Sequence, residues 1–289
     1  LGESVLIGMK ESLAKRTGLI FRPRDDARFA AAVVKRMDVL GLLHPAEYQQ
    51  LLAFDGEAGY AENIALASQL GNLESYFFRD QAQFTLLEQK LLPTIVRRKQ
   101  KSKALKIWSA GCAEGEEAYS VAIVLSLLHL KPVEWRFMVI GTDISPKAIA
   151  RAKEGRYQDY AFRRCPYGLR ERFFIHEASE WVVRPGIKKS VQFHQHNLIM
   201  DPFLPQVGGV DIILCRNVMI YLGKEVVCKL IEKFYEALPD GGILLTGPGE
   251  LYLNRQHRFR QRVVDGAVFY YKGTGWEEGM DGTTTLSGI

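Results

Sequence analysis

The chain has 289 residues, of which 47% are hydrophobic and 25% charged, and its formal net charge is +5. This composition is typical of a folded globular protein and excludes a fibrous or intrinsically disordered one. The four cysteines form no Cys-x-x-Cys pair, so neither a disulfide scaffold nor a zinc site is expected. The longest apolar run, residues 118–130, is too short and too polar for membrane insertion.

Residues 1–92 are predicted to form a small helical domain. An apolar face at helical spacing runs through residues 28–43 and consists of Phe29, Val33, Met37 and Leu40. Residues 46–54 and 61–70 are predicted to form two shorter helices.

Residues 93–103 contain the basic run RRKQKSK, which is typical of a solvated linker. Beyond it the pattern changes, because short apolar strands alternate with helical segments. The predicted strands are 104–110, 137–142, 191–196, 211–215, 243–247 and 267–271. This alternation predicts an α/β domain at 104–272, with a mostly parallel sheet covered by helices on both faces.

A stretch at about 160–192 interrupts the alternation. The tripeptide Arg184-Pro185-Gly186 separates two β-rich runs, which predicts a small β-hairpin subdomain inserted into the α/β domain. The end of the chain, 273–289, is rich in Gly and Thr and is expected to be a disordered tail.

The most informative segment is WSAGCAEGEEAYSVA at 108–122. A buried strand leads through a turn from Gly111 to Gly115 into a helix that begins with Glu116 and Glu117. Glycine lets the backbone approach a ligand closely, and ligands of doubly wound folds bind beyond the carboxyl ends of the strands. Two acids at the helix start disfavour a phosphate and favour a cation, which points to S-adenosylmethionine rather than NAD or ATP. Alternatively, the two glutamates only complement the helix dipole.

Two further polar residues follow predicted strands. Asp143 ends VIGTD and could accept both hydroxyls of an adenosine ribose. Alternatively it caps the next helix, a role for which Ser145 is the better candidate. Asn197 ends the third strand, and its amide could pair with an adenine edge. The flanking His194 and His196 have no metal-ligand spacing, so no metal is expected.

Four motifs resemble those of the CheR-type chemotaxis receptor methyltransferases, which are protein-glutamate O-methyltransferases. They are SYFFRD at 75–80, the loop at 108–122, TDIS with AIARAKEGRY within 142–157, and CRNVMIYL at 215–222. The motifs occur in the family's order, and the likeness extends over residues 10–272. The resemblance implies a Rossmann-like class I methyltransferase fold with a helical N-terminal domain.

The resemblance implies that Arg79 lies beside the reacting methyl group and that Tyr221 faces the methyl donor, so these are the expected catalytic residues. The implied cofactor contacts are Ser75, Arg79, Gly111, Glu116, Asp143, Asn197, Leu198, Arg216 and Asn217. Glu116 would hold the amino group of the methionine moiety and Asp143 the ribose. GPGEL at 247–251 departs from the family's usual Gly-His-Ser-Glu.

The implied reaction esterifies glutamates of a helical chemoreceptor domain and leaves S-adenosylhomocysteine. The enzyme is expected to be a cytoplasmic monomer that is recruited to receptor arrays at the membrane. Lys35 and Arg36 could meet an acidic receptor face, or they could lie on a solvated helix face. A nucleic-acid methyltransferase remains an alternative because of the basic run, although nucleic acid is not expected as a partner: CRNVMIY lacks the Asn/Asp-Pro-Pro-aromatic element of base-modifying enzymes. A catalytically idle cofactor-binding signalling module is the third alternative.

Overall fold

The computed structural model describes residues 2–71, 74–128, 130, 133–251, 257–274 and 276, so most of the predicted tail lies outside the described residues. A helical N-terminal region precedes an α/β region, as the sequence predicted. None of the helices within the described residues has the length and apolar character that a membrane span requires. The helices are α1 (Glu3–Thr17), α2 (Asp26–Leu40), α3 (Pro45–Ala53), α4 (Glu57–Leu70), α5 (Gln81–Leu86), α6 (Leu92–Arg98), α7 (Glu116–Leu127), α8 (Pro146–Glu154), α9 (Leu169–Phe173), α10 (Pro185–Lys188) and α11 (Lys224–Ala237).

Within the described residues, ten strands form two sheets. They are β1 (Ala104–Ala110), β2 (Arg136–Asp143), β3 (Arg156–Tyr157), β4 (Phe174–Glu177), β5 (Glu180–Val183), β6 (Val191–Gln195), β7 (Ile212–Cys215), β8 (Ile243–Thr246), β9 (Arg260–Val264) and β10 (Ala267–Tyr271). The large sheet has the order β6-β2-β1-β7-β8-β10-β9. Its first five strands run parallel and β10 runs antiparallel to β8, which confirms the mostly parallel prediction.

The sequence did not predict β9. This strand lies at the sheet edge, pairs with β10, and starts with the polar run Arg260-Gln261-Arg262. An edge strand can expose one side to solvent, so it lacks the continuous apolar run that marks the central strands.

Helices cover both faces of the large sheet. Ile107, Val139 and Ile212 belong to a core on one face that includes α5, α6 and α7. Trp108 and Ile213 belong to a core on the other face, built with α11. Burial of successive residues on opposite faces explains why these strands are apolar throughout.

The inserted region forms a three-stranded antiparallel sheet in the order β3-β5-β4. The position of its hairpin turn corrects the sequence prediction. β4 and β5 are joined at Ala178-Ser179, and Ala178 has a positive φ of 54°. Pro185 instead begins α10, between β5 and β6. Proline suits a first helical position because its fixed φ is helical and no intrahelical N–H donor is needed there.

The helical region buries most of the predicted apolar face. Phe29, Val33 and Met37 are buried within a core shared by α1–α4, whereas Leu40 is 40% exposed. Leu40 is the last residue of α2, and Gly41 ends the helix with a φ of 66°. The buried part of this apolar face therefore ends about one turn earlier than predicted.

Arg36 requires a correction as an expected partner contact. Its Nε and Nη2 donate to the two carboxylate oxygens of Glu62 at 2.7 and 2.6 Å, in a bidentate pair inside the helical region. Its guanidinium is thus committed within the fold. Lys35, the next residue along α2, is exposed.

The basic run at 97–103 is partly docked on the α/β region rather than fully solvated. Lys99 forms an ion pair with Asp211, whose side chain is buried. The Arg98 guanidinium lies 4.3 Å from the centre of the Trp276 ring. These contacts occupy two of the cations that suggested a nucleic-acid partner.

Candidate functional site

A cleft opens beyond the carboxyl ends of β1, β2, β6 and β7, and the helical region closes one side of it. The crevice includes the point where the connections from β1 and β7 diverge, which is where doubly wound folds bind ligands. Nine of the ten predicted site residues line this cleft, namely Ser75, Arg79, Gly111, Asp143, Asn197, Leu198, Arg216, Asn217 and Tyr221. The structure therefore brings together residues that are up to 146 positions apart in the chain.

The turn after β1 depends on a glycine. Gly111 has a φ of 86°, and a Cβ atom added there would lie 2.3 Å from Cγ2 of Val218. Only glycine therefore permits both this backbone conformation and the close approach of the loop after β7. Ala113, two residues later, also has a positive φ, of 48°.

Asp143 is oriented by backbone donors. Its Oδ2 accepts from the N–H of Ala113 at 3.0 Å, and its Oδ1 accepts from the N–H of Ser145 at 2.9 Å. Burial raises the pKa of Asp143, and the two backbone donors partly offset that rise. Ser145, as expected, is the residue that caps α8 through its own side chain. Asp143 thus lines the cleft with a carboxylate that backbone donors hold in place.

Glu117 contributes a second acid to the cleft, which the sequence considered only as a helix-start charge. Its Oε1 accepts from the Ser109 hydroxyl at 2.6 Å, and its Oε2 lies 3.4 Å from Nη1 of Arg216. Burial raises the pKa of Glu117, and Arg216 and Ser109 counteract that rise. The carboxylate is weakly compensated for its degree of burial.

Glu116 is the predicted site residue that does not line the cleft directly. It is 4% exposed and interacts with the hydroxyl of Ser75, which does line the cleft. Burial raises the pKa of Glu116 to about 7, while hydrogen bonds to the carboxylate from its backbone and from Ser75 oppose the rise. Its Oε2 has no hydrogen-bond partner among the described residues. A buried acceptor left open beside the cleft fits a cationic ammonium donor.

The SYFFRD segment is fixed to the α/β region through its backbone. The N–H of Phe77 donates to the carbonyl of Ala161 at 2.9 Å, and the N–H of Phe78 donates to the Ser120 hydroxyl at 3.0 Å. Phe78 has a φ of 57°, a conformation that costs free energy in a bulky residue and marks functional sites. These constraints place Arg79, the next residue, at the cleft.

The two expected catalytic residues both line the cleft and come from different segments of the chain. Nη1 of Arg79 donates to the carbonyl of Glu74 at 2.6 Å, and its guanidinium lies 5.6 Å from the Tyr76 ring centre. Tyr221 ends a short 3-10 turn after β7 and is 36% exposed. Its carbonyl accepts from the N–H of Ile20 at 2.9 Å, which ties the loop to the helical region.

Glu250 is a site-forming residue that sequence reasoning missed. Its Oε2 accepts from the N–H groups of Gly247 and Asn217 at 2.6 and 2.9 Å. Its Oε1 accepts from the N–H of Ile220 at 3.3 Å. Glu250 therefore holds the loop that carries Asn217 and Tyr221. Asn217 has a φ of 58°. The acid in GPGEL at the end of β8 was the available signal.

The amide of Asn197 is largely used within the protein. Its Nδ2 donates to the carbonyl of Arg16 at 2.8 Å, and its Oδ1 accepts from the N–H groups of Ile199 and Met200 at 3.0 and 3.3 Å. These bonds differ from the expected pairing of the amide with an adenine edge. Asn197 instead lines the cleft and anchors the end of α1 to it.

The helical region supplies cleft residues that the motifs did not indicate. Thr17 and Leu19 line the cleft, and Leu19 pairs with Leu222 in an isolated antiparallel bridge. Gly18, between them, has a φ of 72° and allows the chain to turn from α1 into this bridge. The glycine was a local signal for this turn in the sequence.

The site carries no indication of metal binding within the part of the chain that the structure describes, where no group of three His, Cys, Asp or Glu side chains could hold an ion. His196 lines the cleft, and burial lowers its pKa despite Asp201 nearby. Burial likewise raises the pKa of the Cys112 thiol well above its usual value. Both groups are therefore neutral near pH 7 and add no charge to the cleft.

Comparison with known proteins agrees with this geometry. Residues 73–267 match the family model described as the CheR methyltransferase, SAM binding domain. A probable chemotaxis protein methyltransferase of Rhizobium etli is 30% identical over 220 residues, which cover 75% of this chain and 81% of that protein. Chemotaxis protein methyltransferase 1 of Pseudomonas aeruginosa is 26% identical over 89% of this chain and 94% of its own.

A third relative, the chemotaxis protein methyltransferase of Vibrio parahaemolyticus, is 32% identical over 72% of this chain and 75% of its own length. The family model covers more than half of the chain and includes every cleft-lining residue that the motifs predicted. The cofactor predicted from the two acids at the start of α7 is the one that this domain binds. The chain therefore belongs to the CheR methyltransferase family, and its cofactor is S-adenosylmethionine.

Proposed function

We propose that this protein transfers the methyl group of S-adenosylmethionine to glutamate side chains of a chemoreceptor, forming glutamate methyl esters and S-adenosylhomocysteine. The names of its chemotaxis relatives support this substrate class. The proposal includes a monomeric enzyme that works in the cytoplasm at receptor arrays. Exposed Lys35 on α2 is the proposed contribution of the helical region to receptor contact.

The observation that carries the proposal is the group of acids at the cleft. Asp143 at the end of β2 and Glu117 at the start of α7 line the cleft, and Glu116 bonds to the cleft residue Ser75, so all three can attract a cationic donor. Arg79 and Tyr221, which is 36% exposed, line the same cleft. Acids that attract a cation and polar donors in one cleft suit the meeting of a sulfonium and a carboxylate.

The cofactor supplies an electrophilic methyl group on a positively charged sulfur. In the proposed step a glutamate oxygen forms a bond to that carbon while the carbon–sulfur bond breaks and its electron pair stays on sulfur. A glutamate with a pKa of about 4.3 is already ionised near neutral pH, so no general base is required. The protein's contribution is alignment and exclusion of water, which can lower the barrier by several kcal/mol.

Within this scheme, Tyr221 orients the acceptor carboxylate and Arg79 maintains the register between the reacting groups. Arg79 acts mainly through geometry, because a strong ion pair with the acceptor would reduce its nucleophilicity. The Arg79 carbonyl accepts from Nη2 of Arg216, and the Arg79 side chain is held by the Glu74 carbonyl. Arg216, in turn, lies beside Glu117, so the proposed donor and acceptor sides share one network.

The decisive experiment is transfer of a tritiated methyl group from S-adenosylmethionine to purified receptor cytoplasmic domains, followed by alkaline hydrolysis. Base-labile label on the receptor supports the proposal, and receptor variants with the accepting Glu changed to Ala should lose it. Duplex DNA and RNA serve as competing acceptors at low and high salt. Label on nucleic acid, or cofactor binding without any transfer, would overturn the proposal.

A further inference from the structure

A row of stacked side chains links the inserted three-stranded region to the cleft. The Arg163 guanidinium lies 3.8 Å from the Tyr76 ring centre and 3.9 Å from the Tyr160 ring centre. The Arg79 guanidinium lies 5.6 Å from the same Tyr76 ring. Tyr76 therefore contacts both the expected catalytic arginine and an arginine that no motif indicated. All these distances fall within the range of cation–π attraction.

Arg163 also makes polar contacts that hold the same segment. Its Nη2 donates to Oε1 of Glu74 at 3.1 Å, and its Nη1 donates to the carbonyl of Tyr160 at 3.0 Å. Glu74 is a cleft residue, and its carbonyl accepts from Arg79. Arg163 thus reaches Arg79 by two routes, one through the Tyr76 ring and one through Glu74.

The segment needs such support because its backbone is unusual. Phe78 and Asp80, on either side of Arg79, have positive φ values of 57° and 66°. Non-glycine residues adopt this region only where the surroundings hold them there. The backbone is held by Ala161, Ser120 and Arg216, but those contacts do not fix the direction of the Arg79 side chain.

We propose that Arg163 is a positioning residue for methyl transfer: its planar guanidinium, stacked between Tyr160 and Tyr76 and paired with Glu74, holds Arg79 in its working orientation. The inference rests on the role of Arg79 in the proposed function. Arg163 does not touch the reacting groups and acts through its neighbours. A planar, delocalised cation is required for this stacking, and the point charge of lysine does not replace it.

The test compares Arg163→Ala and Arg163→Lys with Arg164→Ala, an exposed arginine at the adjacent position. Calorimetry with S-adenosylmethionine gives the fraction of each protein preparation that binds the cofactor, and kcat is divided by that fraction. We expect both Arg163 variants to lose about threefold to tenfold in kcat, as the loss of stacking contacts implies, with a smaller change in the KM for S-adenosylmethionine. Arg164→Ala should match the wild type.

A double-mutant cycle with Tyr76→Ala adds a readout that general destabilisation would not produce. If the two side chains act as one unit, the double variant should be no slower than the slower single variant. Additive losses, a normalised kcat of Arg163→Ala equal to that of Arg164→Ala, or full recovery with Arg163→Lys would each overturn the inference.

Hydrogen–deuterium exchange separates this inference from the proposed function, because it needs no methyl acceptor. Amides of residues 76–80 should exchange faster in Arg163→Ala than in Arg164→Ala, while those of α11 should be unchanged. Receptors left unlabelled by the wild type, together with this faster exchange, would refute the proposed function and retain the positioning role. Normal labelling with unchanged exchange would refute the positioning role.

Discussion

Two carboxylates, one buried in the helical region and one partly buried in the cleft, differ in how fully this fold pairs them. Glu62 accepts two hydrogen bonds from Arg36 at 2.7 and 2.6 Å and a third from the Tyr48 hydroxyl at 2.7 Å. Glu117 accepts from the Ser109 hydroxyl at 2.6 Å, and its nearest cation, Arg216, is 3.4 Å away. The first acid is satisfied by the protein, and the second is satisfied only in part.

The difference separates an acid whose charge is fully paired within the fold from an acid whose charge is only partly paired. Complete pairing removes the main cost of burying a charge, so Glu62 can specify how α2, α3 and α4 pack. Incomplete pairing leaves a cost, and burial accordingly raises the pKa of Glu116, Glu117 and Asp143. A cationic ligand can offset that cost, so incompletely paired charges are expected at binding sites.

The largest expected effect is on stability, from Glu62→Gln. The change leaves the half-buried Arg36 guanidinium without its counter-charge, which should lower the free energy of unfolding by about 3 kcal/mol. Affinity for S-adenosylmethionine, measured by calorimetry on the folded protein, should stay within about twofold of the wild-type value. The change affects the helical region, whereas the cofactor binds in the cleft. A loss of affinity comparable to that of cleft variants would show that the two regions are not independent.

Asp143→Ala should have the opposite profile. Removing the proposed acceptor for the ribose hydroxyls should weaken cofactor binding by about 10- to 100-fold, as the loss of hydrogen bonds worth about 1.5–3 kcal/mol implies. The midpoint of thermal unfolding should fall less than in Glu62→Gln, because burial already disfavours the charged form of Asp143. Unchanged affinity would remove Asp143 from the cofactor site.

The sequence predicted the sheet well and the site in part, for physical reasons. Central strands are apolar on both faces, so local sequence is enough to locate them. The strand pattern placed Asp143 at the end of β2, and the motifs indicated Arg79, which lines the cleft. The roles of Glu250 and Asn197 depend on hydrogen bonds to backbone groups 33 and 181 positions away. Hydrophobic periodicity in the sequence does not indicate hydrogen-bond partners that lie so far away in the chain. Arg36 was misjudged for the same reason, since its partner lies 26 residues later on another helix.

Glu116 predicts a pH dependence of cofactor binding. Its pKa is about 7 in the folded protein against 4.5 for the free side chain. Between these values the native state holds more protons, so the Glu116 contribution to stability declines as pH rises through this window. Binding of a cation favours the ionised form and should tighten as pH rises through about 7, by at most about tenfold per pH unit.

Calorimetry from about pH 6 to about pH 8 would measure this slope, with Glu116→Gln as the matched variant. The variant should bind S-adenosylmethionine with little pH dependence and with the weak affinity that the wild type has at low pH. A slope that persists in Glu116→Gln would assign the titration to Glu117 or Asp143 instead.

The smallest effect gives the sharpest contrast between the two acids, because Glu117→Gln makes the same chemical change as Glu62→Gln in the other environment. Glutamine can still accept from the Ser109 hydroxyl, and Asp80 remains 3.6 Å from the Arg216 guanidinium as a second counter-charge. Stability should therefore fall less than in Glu62→Gln. S-adenosylmethionine carries a positive sulfur that S-adenosylhomocysteine lacks. The variant should therefore bind S-adenosylmethionine about threefold more weakly than the wild type and bind S-adenosylhomocysteine nearly as well. The effect is small because Arg216 already offsets part of the Glu117 charge. An equal loss of affinity for both ligands would mean that Glu117 shapes the cleft without contributing to recognition of the sulfonium.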